Sequence, residues 1–320
     1  MLGRYADNLY WMARYLERSE NMARRIDATL HHALTQTKDG AAEWSSVIVS
    51  NGNAALFNKK YSGHSMANVI NFVLRDQANT NSVMSLLGKA RQNARIVRTA
   101  LTQEVWQSLN ESWISYEKAL KRPINIRDLP AILESIVKGS SLFRGALYGT
   151  MLHNDIFNFV RLGTFIERAD NTARIIDAKY HRLLPTASAL VGGPDQSQWE
   201  VMLRSVAAWR SFNWLNKGRL DPVGVAIFLI FDKRMPRSLS FCYKEISSNL
   251  HDLEMAYGRQ YDAGDTARAL AQTIKDGEQN NIHLSNLHDF ITSFISTNNQ
   301  LSLTLSLIHI SEPTIRYSIS

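Results

Sequence analysis

Glu17, Asn21 and Arg24 are spaced i, i+4 and i+7, so on a helix they line one face over two turns. A carboxylate, an amide and a guanidinium on one stripe can hold an ionic ligand, orient a phosphate, or pair with an opposed copy of the stripe. Arginine suits all three tasks because its planar fork meets a carboxylate or phosphate with two parallel hydrogen bonds. The same set returns 150 residues later as Glu167, Asn171 and Arg174. Tyr15-Leu-Glu-Arg-Ser-Glu-Asn-Met-Ala-Arg-Arg-Ile-Asp-Ala28 and Phe165-Ile-Glu-Arg-Ala-Asp-Asn-Thr-Ala-Arg-Ile-Ile-Asp-Ala178 agree at eight of fourteen positions. Core helices exchange apolar residues freely; a repeat that keeps Glu-Arg-x-x-Asn-x-Ala-Arg-x-x-Asp points to charged groups held in a defined place.

Two chemistries fit this pattern. If the copies cross about a pseudo-two-fold axis, Glu17 approaches Arg174 and Glu167 approaches Arg24. The result would be a reciprocal lattice that fixes helix register without any substrate. Alternatively, Glu17 or Glu167 escapes full pairing, is desolvated, and serves as a catalytic acid–base while the motif arginines bind an anion. The candidate polar site, for ligand or helix pairing, is Arg14, Glu17, Arg18, Asn21, Arg24, Glu167, Arg168, Asn171 and Arg174. Glu20–Arg24 and Asp170–Arg174 are also i, i+4 pairs in the favourable acid-first order, and they compete for the same arginines.

Other chemistry is weakly represented. Arg91, Arg95 and Arg98, with Lys89 nearby, form a basic stretch that could meet an acidic partner or phosphate groups, or simply be a solvated face. No aromatic residues interleave with them, so single-strand stacking is unsupported. The net charge of +7 is a mild bias, not the dense basic signature of a nucleic-acid domain. His31-His32 and His283/His288 lack the same-face spacing of a helical metal site, so no metal is expected. Cys242, the one cysteine, sits in an apolar stretch as a packed thiol. No phosphate-binding glycine loop or nucleophile elbow is present, and no cofactor is expected.

Helical periodicity dominates the elements that must position these groups. With a step of about 100° per residue, Leu9, Met12, Leu16, Ala23, Ile26 and Leu30 form an apolar stripe apart from the Glu17 stripe. The long helices are expected over Arg4–Leu34 and Asn154–Leu183, the second more buried because its other faces are apolar too. Further helices are expected at Ser65–Arg75, Ser82–Leu101, Thr102–Leu120, Leu129–Met151, Ser197–Leu215, Pro222–Phe231, Pro236–Leu253, Thr266–Lys275 and Ile282–Leu301. Glycine (16) and proline (7) are scarce in 320 residues, as long helices require. The repeat continues faintly: at an offset of 156, Val69, Phe72, Val73, Asp76 and Ser82 match Val225, Phe228, Leu229, Asp232 and Ser238. These signs predict an all-α multi-helix bundle within residues 1–301, built from two related halves (about 1–150 and 151–301), each opening with a long motif helix. Residues 302–320 read as a non-native or disordered tail, because Leu305-Ser-Leu-Ile-His-Ile-Ser-Glu-Pro-Thr314 resembles translated read-through of a sequencing-library adapter. The longest apolar run, Val223–Phe231, is too short to span a bilayer. No apolar signal segment opens the chain and the lone cysteine suits a reducing compartment, so a cytoplasmic location is expected.

Asn8-Leu-Tyr-Trp-Met-Ala-Arg-Tyr-Leu-Glu-Arg-Ser-Glu-Asn-Met-Ala-Arg24 resembles the opening of the bacterial alpha-E proteins, helical proteins named for a Glu-Arg motif. Ala90-Arg-Gln-Asn-Ala-Arg-Ile-Val-Arg98, Phe165-Ile-Glu-Arg-Ala-Asp170 and Pro236-Arg-Ser238 extend the resemblance over about residues 1–301. It implies a cytoplasmic all-helical protein associated with circularly permuted ATP-grasp and transglutaminase-like proteins, hence with peptide ligation or modification. Three functions follow as expectations: a helical accessory partner of an ATP-grasp-type enzyme, an enzyme or substrate-binding subunit using Glu17 or Glu167, and, with least support, a nucleic-acid-binding helical protein.

Overall fold

Ser65, Ser82, Thr102, Asp221 and Ser238 each start a helix by accepting a backbone N–H, from Asn68, Ser85, Val105, Gly224 and Phe241 respectively. These caps satisfy donors that the first helical turn leaves unpaired. The resulting architecture was obtained as a computed structural model describing residues 3–35, 41–183, 196–217, 220–279 and 284–307. Among the described residues it is all α-helical. The helices are α1 (Gly3–Thr35), α2 (Ala41–Asn51), α3 (Ala54–Lys60), α4 (Met66–Ile70), α5 (Val83–Ile96), α6 (Gln103–Leu120) and α7 (Leu129–Thr150). They continue with α8 (Asp155–Leu183), α9 (Gln196–Ser205), α10 (Trp209–Asn216), α11 (Pro222–Phe231), α12 (Leu239–Tyr257), α13 (Asp262–Gln279) and α14 (Leu284–Leu307).

The two motif helices, α1 and α8, pack on one another at the centre. Their contacts advance together: Tyr10 lies beside Gly163, Arg14 and Arg18 meet Glu167, and Arg25 meets Asn171. The helices therefore run side by side in parallel. Gly163 makes this approach possible, because a Cβ there would fall 2.2 Å from the Tyr10 carbonyl oxygen. Around the pair, α5 and α7 flank α1 while α12 and α14 flank α8. Leu9, Met12, Ala23 and Ile26 from α1 join Phe157, Val160, Leu162 and Ile176 from α8 in the core. Both helices are buried over most of their length, so α1 is nearly as central as α8.

Two of the positions matched at an offset of 156 have similar local geometry. Asp76 and Asp232 each end a helical segment and accept the backbone N–H two residues on, from Ala78 and Arg234. Six residues later, Ser82 and Ser238 cap α5 and α12, the helices that flank α1 and α8.

Several expected boundaries move. The helix expected over Ser197–Leu215 breaks into α9 and α10, because Ala207 adopts a left-handed φ of 54°. The Ala208 N–H then bonds to Leu203 O at 2.7 Å and the Ala207 N–H to Arg204 O at 3.0 Å. This double closure is one that glycine normally provides, and alanine gives no warning of it. The helix expected to reach Leu101 stops at Ile96, and Arg98–Ala100 form a separate 3₁₀ turn. The segment Asn71–Arg75 is a π-helical turn. Helices α2 and α3 were not expected. Packed structure also passes Leu301: α14 continues to Leu307, with Ser302 and Leu305 buried. Residues 308–320 and His283 lie outside the described residues.

Candidate functional site

The parallel register of α1 and α8 brings their Glu-Arg pairs level. Glu17 receives Arg168 through both oxygens, Nε to Oε1 at 2.9 Å and Nη2 to Oε2 at 3.0 Å. Reciprocally, Glu167 receives Arg18, Nε to Oε1 at 2.5 Å and Nη2 to Oε2 at 2.8 Å. Arg14 adds a second guanidinium to Glu167, Nε to Oε2 at 2.9 Å. It also stacks over Trp11 and bonds to the Ser302 hydroxyl, which accepts from Tyr10 Oη at 2.9 Å. The lattice is therefore real, but its partners differ from the expected ones. Glu17 does not meet Arg174, nor Glu167 Arg24. In a parallel pair, equivalent positions share a height, and seven residues of helix separate residue 167 from residue 174 by about 10 Å.

Arg24 and Arg174 instead close on their own helices. Arg24 Nε donates to Glu20 at 2.8 Å and Arg174 Nε to Asp170 at 2.8 Å. Asn21 and Asn171 each accept one guanidinium from elsewhere: Arg237 Nη1 to Asn21 Oδ1 at 2.7 Å, and Arg25 Nη2 to Asn171 Oδ1 at 2.9 Å. The same Arg237 binds Glu17 at 2.9 Å and Glu20 at 2.8 Å. Arg144, from α7, bonds to Glu20 and lies 3.6 Å from Glu17. Arg25, Arg144, Arg237 and Ser302 escaped the motif analysis; only Arg237 carried a signal, in Pro236-Arg-Ser238.

Charge and burial decide what this network can do. Glu17, Glu20, Glu167 and Asp170 are all buried. Burial alone would raise the Glu17 carboxyl, yet Arg168, Arg237 and Arg144 overcome it and hold the group well below the usual carboxylate range. Glu167 is likewise pushed up by burial and brought down further by Arg18 and Arg14. For Glu20, burial and Glu17 push upward, and Arg237 with Arg144 bring the net shift downward. Both motif glutamates are thus ionised at neutral pH with both oxygens engaged, and neither is poised as an acid or base. The guanidiniums around these four carboxylates are Arg14, Arg18, Arg24, Arg25, Arg144, Arg168, Arg174 and Arg237, so positive charge is in excess.

The architecture and motif decide the relationship. A helical family described as a predicted alpha-helical domain with a conserved ER motif, Alpha-E, matches residues 1–309. The chain belongs to the Alpha-E family. This Alpha-E chain is 21% identical over 273 residues to the uncharacterized protein Rv2567 of Mycobacterium tuberculosis H37Rv, covering 80% of this chain. The same values hold for the uncharacterized protein Mb2597 of Mycobacterium bovis. It spans about 30% of the length of these curated relatives. No solved structure matches it.

The remaining expected features take modest places. Arg91 donates to Asn110 Oδ1 at 2.9 Å, and Arg98 lies over Trp106 at 5.2 Å. Because α5 stops at Ile96, Arg91, Arg95 and Arg98 do not share one helix face. The Cys242 thiol is fully buried, and burial pushes it up to about 12, which makes it unreactive at neutral pH. Three clefts lie elsewhere, and none is lined by a motif residue. Among the described residues no helix is long and apolar enough to cross a membrane, and no group of three His, Cys, Asp or Glu could hold a metal ion.

Proposed function

We propose that this Alpha-E chain is a non-catalytic helical partner in a cytoplasmic peptide ligation or modification system, working with an ATP-grasp-type enzyme. One observation carries the non-catalytic part: both motif glutamates are buried and bound by guanidiniums across α1 and α8. The motif then fixes how the central helices meet and leaves outer surfaces for a partner. The resemblance to alpha-E proteins supplies the partners, circularly permuted ATP-grasp and transglutaminase-like proteins. That relatives carry a similar stretch within much longer chains supports a unit that acts beside other domains. The apparent duplication is the reading that best joins the repeated motif to the matched turns at Asp76 and Asp232.

The test reconstitutes the full chain with a purified circularly permuted ATP-grasp enzyme of the same organism. A stable complex with raised ATP turnover is expected; no complex and unchanged turnover would overturn the proposal. Glu167→Gln separates this reading from a catalytic one. Lost stimulation at an unchanged melting temperature would favour Glu167 as a working acid–base.

A further inference from the structure

Arg25 differs from the other arginines of the network. Among the described residues its hydrogen-bond partner is a neutral amide, Asn171 Oδ1 at 2.9 Å, and it forms no ion pair with a carboxylate. Burial and the neighbouring Arg174 charge disfavour its cation, with only Asp170 in its support. Asn171, itself buried, leaves its Nδ2 donor without a partner. Toward solvent, Arg174 spends Nε on Asp170 and Arg18 spends Nε and Nη2 on Glu167, with side chains 47% and 30% exposed. Glu167, Asn171 and Arg174 are spaced i, i+4 and i+7 on α8, and Arg18 and Arg25 reach the first two of them from α1, so the three guanidiniums lie along one face of α8. A half-buried cation on a neutral partner is an electrostatic deficit. Oxygen lone pairs carrying negative charge are what unused guanidinium and amide donors take.

We propose that this corner binds an oxyanion, a carboxylate or phosphoryl group, held by Arg25 and Asn171 and met at the opening by Arg174 and Arg18. The equivalent corner on α1 also leaves an amide donor, Asn21 Nδ2, without a partner among the described residues, but its charge balance differs. There Asn21 is served by Arg237, whose charge Glu17 and Glu20 already neutralise. The site does not depend on an ATP-grasp partner.

The experiment is thermal melting of the full chain with inorganic phosphate or acetate at millimolar concentrations, against chloride at equal ionic strength. Saturating oxyanion should raise the melting temperature by about 2–4 °C; the stronger of the two anions tells phosphoryl from carboxylate. Arg25→Met should abolish the response, and Arg24→Met on the other corner should keep it. If Arg25→Met does not fold, Arg174→Gln should weaken the response. Indifference of the native chain to both anions, or an undiminished response in Arg25→Met (in Arg174→Gln where that is the variant used), would overturn the proposal.

Discussion

Glu20 and Asp170 hold matching places on the two motif helices, yet their surroundings differ. Glu20 bonds to Arg24, Arg144 and Arg237, and the last two also reach Glu17. Among the described residues Asp170 bonds to Arg174 alone, its Oδ1 has no partner, and no arginine bridges it to Glu167. Each corner has two acids and four arginines, so composition does not separate them; reach does. Aspartate is one methylene shorter than glutamate, and Asp170 keeps one oxygen without a hydrogen bond among the described residues. The lesson is that the same charge set, met twice along one chain, can be fully paired on one helix and only partly paired on the other.

The largest effect should come from acid, which acts on all the depressed carboxyls together. Glu17, Glu20 and Glu167 have folded pKa values below their unfolded ones, about 4.3. Their contribution is therefore full above that value and is lost as pH falls through the folded values. Urea midpoints should hold from pH 8 to 5 as far as these groups decide them, then fall steadily below about pH 4.3. A midpoint that rises on acidification would break this account. Next comes Glu17→Gln, which strands the well-buried Arg168, leaves Arg237 with Glu20 alone, and should cost about 3–5 kcal/mol in urea unfolding. Glu167→Gln should cost less, because Arg18 can turn to water. Gly163→Ala tests the close approach itself: pushing a methyl against the Tyr10 carbonyl should cost about 1–3 kcal/mol. The smallest pair sharpens the comparison of corners. Glu20→Asp should lose about 1.5–3 kcal/mol as charged hydrogen bonds to Arg144 and Arg237 break. Asp170→Asn should lose at most about 1 kcal/mol, since its partner Arg174 is half-exposed. Equal losses in those two variants would remove the distinction.

Much of this was legible in the chain. Apolar spacing at Leu9, Met12, Leu16 and Ile26 revealed α1, and the repeated Glu-Arg marked the residues that couple the long helices. The pairing was misplaced because spacing along a helix says nothing of whether its neighbour crosses or runs parallel. Only the parallel packing admitted by Gly163 brings Glu17 level with Arg168. Arg144 and Arg237 lie on distant elements, beyond any local pattern. Arg25 was hidden by the repeat itself: its counterpart is Ile175, so comparing the copies discards it. The break at Ala207 left no trace because a residue other than glycine takes the left-handed turn.

The lattice is best tested by a double-mutant cycle on Glu17 and Arg168. Glu17→Gln and Arg168→Met are each expected to destabilise strongly, because each leaves a charge out of balance in a buried place. The double variant should recover a coupling of at least about 1 kcal/mol relative to the sum. Losses that simply add in urea unfolding would contradict the claim that these two residues join α1 to α8.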